Sequence, residues 1–446
     1  MNFATTEAQL TPPIHRITLE NGIVLLVTEN PTADIIATRI FVRAGSRWEA
    51  PHQAGLSHLV SAVLTKGTET LSSLAIAEQV EALGASLSTD STTDYFLVSM
   101  KCVSPDFEEM LHLMGEILRS PVFPEAEVEL EQRITLQAIR SQQEQPFTVA
   151  FDQLRKSMYG EHPYALSGLG TEESVTQLTA ADLQAYHRTH FRPDNVIISL
   201  SGRIQVETAI ALVEKVLGDW QPPSVPLPVL TLPPVKCQPT RHAIGQDTQQ
   251  SILMLGYLAP PVMTQNQANQ ATGTPETAAL SEDYAVLKLV NSYLGNGLSS
   301  RLFVELREKR GLAYEVSAFY TTRLDVSQFV AYMGTAPENT AIALEGLQAE
   351  LDRLQTTPLT AEDLQAAKNK VLGQYALGKQ TNAQIAQTFG WYEALGVGIA
   401  FDEYFQTQIA QVTAEQIQTV AAQYLKTPYL SLVGPGRAVH ELVELA

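Results

Sequence analysis

Leu178-Thr-Ala-Ala-Asp-Leu-Gln-Ala-Tyr186, followed by Phe191-Arg-Pro-Asp-Asn-Val-Ile-Ile-Ser-Leu-Ser-Gly202, decides the fold, because the same succession returns later in the chain. Val412-Thr-Ala-Glu-Gln-Ile-Gln-Thr-Val420 and then Leu425-Lys-Thr-Pro-Tyr-Leu-Ser-Leu-Val-Gly434 repeat it. The offset is 234 at Thr179/Thr413 and 235 at Pro193/Pro428. Each copy predicts a threonine-capped helix, a turn at proline, and an apolar strand ending in glycine. Single capping motifs recur by chance; a whole helix-turn-strand series at a nearly constant offset marks a duplicated architecture.

Between the two copies, Gln221 to Pro239 carries seven prolines. Proline fixes φ and removes a donor, so this stretch is neither a helix nor a central strand, and it predicts an extended linker. The expected organisation is a first domain over 1–220, a Pro-rich linker over 221–239 and a second domain over 240–446. A Gln-, Asn- and Thr-rich segment from Met263 to Ser281 predicts a surface loop. Ile14–Glu20 and Val24–Thr28 flank Asn21-Gly22, a hairpin signal, and Ile35–Ala44, Ser251–Leu258 and Val326–Met333 also predict strands. Apolar spacing predicts helices over Leu74–Leu83, Phe107–Leu118, Glu125–Gln142, Tyr284–Leu294, Thr340–Leu354 and Ala361–Leu377. Strands arriving in groups before long helices predict an α+β fold. It comprises two homologous halves, each a mostly antiparallel sheet with helices packed on one face.

Composition narrows the function. The 446 residues include 29 Lys+Arg against 48 Asp+Glu, a net charge of −19, which disfavours nucleic acid and anionic membrane surfaces. Hydrophobic residues at 45% supply a core. Two cysteines, Cys102 and Cys237, rule out a disulfide framework. Met1 to Pro13 lacks a basic start and an apolar run, and no apolar stretch approaches the ~18 residues of a membrane span, so a cytoplasmic setting is expected.

Two stretches could carry chemistry. In Gly55-Leu-Ser-His58-Leu-Val-Ser61-Ala62-Val-Leu-Thr-Lys66-Gly67-Thr68, a short helix framed by glycines presents one histidine. A zinc site there needs a second ligand one turn on and a carboxylate to activate water. Positions 61 and 62 are Ser and Ala, so a packed or surface histidine is the plainer reading. In Leu298-Ser-Ser-Arg301-Leu-Phe-Val-Glu305-Leu-Arg307-Glu-Lys-Arg310-Gly311-Leu-Ala-Tyr314, a helix from about Ser299 ends at Gly311. It is either a solvated charged helix or a device presenting a guanidinium and a phenol, both donors suited to a peptide carbonyl or a developing oxyanion. His187 and His190 share i, i+3 spacing without a third ligand, which favours a structural role at a helix end. Cys102 is expected to be buried and inert, and Cys237 exposed and unactivated.

These residues resemble the M16 (pitrilysin, insulinase-like) metallopeptidase family, in its subgroup of processing-peptidase-like subunits. Active members carry H-x-x-E-H, the inverted zincin motif, inside a frame matched here by Gly55, Leu56, His58, Lys66, Gly67 and Thr68. The family's third ligand, a Glu about 80 residues after the first His, falls on Ala138 in Glu131-Gln-Arg-Ile-Thr-Leu-Gln137-Ala138-Ile139. Glu131 matches the glutamate that supports the ligands of active members. The resemblance extends through His162-Pro-Tyr164, which is assigned no chemistry, and Gly170-Thr-Glu172. It continues through Asp283-Tyr284 to the Arg307/Tyr314 pair, with which the family's C-terminal half contacts substrate.

The resemblance implies no zinc and no hydrolysis in this chain, with zinc expected in a partner subunit. It implies a non-catalytic member of a heterodimeric zinc peptidase that handles peptides or unfolded segments, held extended partly by addition to a sheet edge. Arg307 and Tyr314 would be contributed to the partner's active site. Two other readings stay open: a structural scaffold subunit, and an autonomous peptide-binding homodimer.

Overall fold

The computed structural model describes residues 13–263 and 280–443. Most of the Met263–Ser281 segment and most of the N-terminal stretch ending at Pro13 lie outside them.

The first sheet contains β1 (Ile14–Thr18), β2 (Val24–Glu29), β3 (Ile35–Val42), β4 (Ser86–Ser91), β5 (Phe96–Val103) and β6 (Val196–Gly202), ordered β1-β2-β6-β3-β5-β4. The second contains β7 (Arg241–Gly245), β8 (Ser251–Ala259), β9 (Glu315–Tyr320), β10 (Ser327–Thr335) and β11 (Tyr429–Gly434), ordered β7-β11-β8-β10-β9. The strands of the repeat, β6 and β11, hold equivalent places. Each has a parallel neighbour on one side, β2 or β7, and an antiparallel neighbour on the other, β3 or β8. Residues 221–240 form no helix or strand.

The helices of the first half are α1 (Leu56–Val63), α2 (Ser73–Ala82), α3 (Phe107–Arg119), α4 (Glu125–Gln143), α5 (Pro146–Tyr159), α6 (Glu172–Gln177), α7 (Ala180–His190) and α8 (Val206–Leu217). Those of the second are α9 (Glu282–Gly295), α10 (Thr340–Thr356), α11 (Ala361–Leu377), α12 (Asn382–Ala394), α13 (Phe401–Gln411), α14 (Ala414–Tyr424) and α15 (Gly436–Val443). The repeated caps are present as full capping boxes: Thr179 with Asp182 opens α7, and Thr413 with Gln416 opens α14. Each box satisfies two backbone donors that a helix start would otherwise leave bare.

Every residue of β6 and of β11 is buried. Such strands need cover on both faces, and each half takes half of that cover from the other. On one face of the first sheet, Leu59, Val63, Met110, Leu113 and Val213 pack with Ile40, Val98 and Ile198. On the opposite face, α12 from the second half brings Ile385, Phe389 and Tyr392 onto Leu26, Phe41 and Ile197. Reciprocally, Ala150, Leu154 and Met158 of α5 pack on Ile252, Met254, Tyr429 and Val433 of the second sheet. Both approaches are close: a Cβ at Gly390 would stand 2.4 Å from the Phe41 ring, and one at Gly256 2.7 Å from Met158 Sδ. The arrangement of helices on one face of each sheet is thus completed by one exchanged helix on the other.

Candidate functional site

The helix α1 is fixed at its start by Glu49. This carboxylate accepts hydrogen bonds from the backbone N–H of Gly55 (2.9 Å) and Ser57 (2.6 Å) and from the Ser57 hydroxyl (2.5 Å). A carboxylate suits bare donors at a positive helix end, yet burial pushes Glu49 up to about 7 against those bonds. Leu56, Leu59, Val60 and Val63 anchor α1 in the core. His58 and Ala62 are half-buried, one turn apart, and Ser61 is buried.

Ser61 is spent on local structure. Its hydroxyl donates to the His58 carbonyl at 2.8 Å, and its own carbonyl accepts from Thr89 of β4 at 2.7 Å. The helix α4 packs against α1. It carries Glu131, which pairs with Lys66 at 3.3 Å, then Gln137, exposed, and Ala138, half-buried. Burial lowers the His58 imidazole, opposed by the charges of Glu131 and Asp90. One imidazole, a hydroxyl and two methyl groups therefore stand where three ligands and a base would be needed. Among the described residues, no group of three or more His, Cys, Asp or Glu side chains could hold a metal ion. Zinc does not fit the residues present.

Arg307 and Tyr314 lie on the other half. Instead of the α-helix expected from Ser299, Phe303–Lys309 is π-helical. Such wider turns are rare and recur at functional positions. Leu302 and Leu306 are buried and root it in the core. Arg301 holds it from the side, bonding Glu350 at 2.7 Å and Glu305 at 3.1 Å. Gly311, at φ +63, turns the chain out of the helix. Leu312 and Ala313 then tuck in, and Tyr314 enters the sheet by donating its N–H to the Gly334 carbonyl at 2.9 Å.

The result is a backbone anchored in the core with exposed side-chain ends. The Arg307 guanidinium is exposed and lies over the Phe303 ring, 4.9 Å from its centroid. Tyr314 is 60% exposed. Among the described residues, neither head group has an ion-pair partner or a side-chain hydrogen bond. The structure does not join them to His58 either: His58 lies on α1 of the first half, Arg307 and Tyr314 belong to the second, and no hydrogen bond links them.

The remaining candidates are structural. His187 and His190 are buried, and burial pushes both down to about 4. His187 Nε2 meets the Leu118 carbonyl at 3.0 Å, and its ring stacks on Phe191. Cys102 is buried, with its thiol pushed up to about 12, and Cys237 is exposed. His162-Pro-Tyr164 proves to be part of the seam between halves. Tyr164 donates to Asp94 at 2.6 Å, Asp94 also faces Arg47 and Arg323, and His162 faces Asp325 at 3.5 Å. The His-Pro-Tyr string was the visible signal of this cluster; Glu49 gave none, because its partners are fixed only by the folded loop.

Comparison with known proteins identifies the family. The family model for insulinase, peptidase family M16, matches residues 24–172, and that for the peptidase M16 inactive domain matches residues 177–371. An uncharacterized zinc protease of Bacillus subtilis, YmxG, is 26% identical over 95% of this chain and 98% of its own length. One from Streptomyces coelicolor, SCO5738, is 26% identical over 95% and 90%. A solved M16 inactive domain from Pseudomonas fluorescens superposes with TM-score 0.84 at 26% identity, covering 95% of this chain and 98% of that one. A Helicobacter pylori protease shares the fold, with TM-score 0.86 at 20% identity over 95% and 100%. With both family models matched in succession along a duplicated two-sheet fold, the chain belongs to the M16 peptidase family, on an inactive-type pattern in which the relatives' named metal finds no ligand set among the described residues.

Proposed function

We propose that this chain is the non-catalytic subunit of a heterodimeric M16 zinc peptidase, lending Arg307 and Tyr314 to a reaction centre whose zinc belongs to the partner. The observation that carries this reading is a contrast. The positions that would make a metal site are filled by Ser61, Ala62 and Ala138, while Arg307 and Tyr314 stay exposed, without a partner among the described residues, and mounted on a π-turn and strand start rooted in the core. A charge left free on a buried framework suits recognition better than stability, since solvated charges add little to folding. The guanidinium and phenol would orient a peptide carbonyl and offset the negative charge that develops on its oxygen as the bond is attacked.

The test is reconstitution with a zinc-bearing M16 chain from the same cell. Arg307→Ala combined with Tyr314→Phe is expected to lower kcat of the mixture by about 10²-fold, the usual cost of a lost oxyanion donor. Unchanged peptide hydrolysis by the double variant would overturn the role.

A further inference from the structure

The π-turn and its flanks carry Arg301, Arg307, Lys309 and Arg310, and these cations are held in different ways. Arg301 spends its donors on carboxylates, Glu350 at 2.7 Å and Glu305 at 3.1 Å. Lys309 closes on the same Glu305 at 2.9 Å. Arg310 lies against α10, so close to Gly346 that a Cβ there would stand 2.6 Å from a guanidinium nitrogen. Arg307 is held differently. Its guanidinium carbon lies 4.9 Å from the centroid of the Phe303 ring, four residues back along the same turn.

Phe303 is itself fixed. It is partly buried and packs on the core cluster that contains Leu302, Leu306 and Leu347, so the platform under Arg307 is anchored from below while Arg307 stays exposed.

A ring and a carboxylate hold a guanidinium at different cost to its chemistry. A carboxylate binds the N–H donors directly, and a donor bound there is lost to any other acceptor. An aromatic ring attracts the cation through the face of its π-system. Among the described residues no side-chain hydrogen bond consumes an Arg307 donor, so the head group is steadied without being spent. A long arginine side chain otherwise loses much rotamer freedom when a ligand orders it. A ring that orders it beforehand lowers that cost at the moment of binding.

We infer that Phe303 is the positioning residue for Arg307: its ring holds the guanidinium over the turn and leaves the N–H donors to a substrate carbonyl or its developing oxyanion. This rests on the reading of Arg307 as a donor lent to a partner's reaction centre. What matters at position 303 is then the π face and not only apolar bulk. Leucine keeps much of the packing and loses the face; tyrosine keeps both.

The test is the mixture reconstituted with a zinc-bearing M16 chain from the same cell, assayed with Phe303→Leu, Phe303→Tyr, Arg307→Ala and Phe303→Leu/Arg307→Ala. Phe303→Leu is expected to lower kcat about 2- to 5-fold, the worth of a cation–π contact at an exposed site, with KM little changed. Phe303→Tyr should recover most of that loss. On the Arg307→Ala background, Phe303→Leu should cost nothing more, because the group it acts through is gone. Equal losses with and without Arg307, or no loss from Phe303→Leu where Arg307→Ala is costly, overturn the positioning role and leave the proposed function standing. Hydrolysis unaffected by Arg307→Ala, or absent from the wild-type mixture, overturns both. Should Phe303→Leu not fold, the wild-type chain alone decides by nuclear magnetic resonance with isotope-labelled arginine. Its Arg307 Nε–H should relax as an ordered group; relaxation of a freely moving side chain overturns the inference.

Discussion

Arg16 on β1 grips Glu393 on α12 through two hydrogen bonds, 3.0 Å from Nε and 2.8 Å from a terminal nitrogen, across 377 residues of sequence. Glu393 is 4% exposed and also faces Arg43 at 3.7 Å. This triad sits where the second half's exchanged helix crosses the first half's sheet. It fixes α12 in one position on an apolar surface that would tolerate sliding.

Replacing Glu393 by Ala leaves Arg16 and Arg43 facing each other with no counter-charge. Because each arginine keeps about a third of its side chain in water, the expected loss is about 1–3 kcal/mol, below the full penalty for orphaning a buried charge. Urea unfolding would register this as a lower midpoint. Arg43→Met should cost less, since Glu393 keeps its two bonds to Arg16.

The pH dependence of stability has two opposed contributions. His187 and His190 titrate near 4 in the folded chain and near 6.5 when unfolded. The unfolded state therefore takes up protons first, and their contribution is present above 6.5 and lost as pH falls towards 4. Glu49 runs the other way: raised to about 7, it stays protonated while the unfolded chain ionises, so stability is lost as pH rises from 4.5 to 7. Relative to the wild type, His187→Phe should gain stability as pH falls through 6.5, and Glu49→Gln should gain it as pH rises to 7. Each difference should be at most about 1.4 kcal/mol per pH unit. Denaturation midpoints measured across this range separate the two, and pH-independent differences would refute both.

The two halves were readable because the repeated element lies inside each sheet, between two partner strands, where a fully buried strand and a threonine cap leave little choice. The exchanged helices were not. Asn382–Ala394 buries Ile385, Ala386, Phe389, Gly390, Tyr392 and Glu393, nearly all round, so it shows no amphipathic stripe that would name a partner sheet. β4, Ser86-Leu-Ser-Thr-Asp-Ser91, is too polar to announce a strand and forms because β5 templates it. At the site, the loss of the metal motif was plain in Ser61, Ala62 and Ala138. The π-turn under Arg307 was not: nothing in its sequence distinguishes it from an α-helix, and the contact of Arg301 with Glu350 beside it joins residues 49 apart.

Since α1 and α4 remain packed together, the scaffold of a metal site persists without its ligands. Ser61→Glu, Ala62→His and Ala138→Glu together should restore tight zinc binding beside His58, with i, i+4 histidines on one helix face and a carboxylate from the neighbouring helix. Isothermal titration should find one site in the triple variant and none when Ala62→His is omitted. Absence of binding in a folded triple variant would mean that the helices have drifted from the spacing a metal requires.

Most direct of all is the zinc content of the wild-type chain, purified alone and measured by elemental analysis alongside its peptidase activity. The account predicts a small fraction of an equivalent and no peptide turnover until a zinc-bearing partner is added. One tightly held zinc per chain, or turnover by the chain by itself, would contradict it.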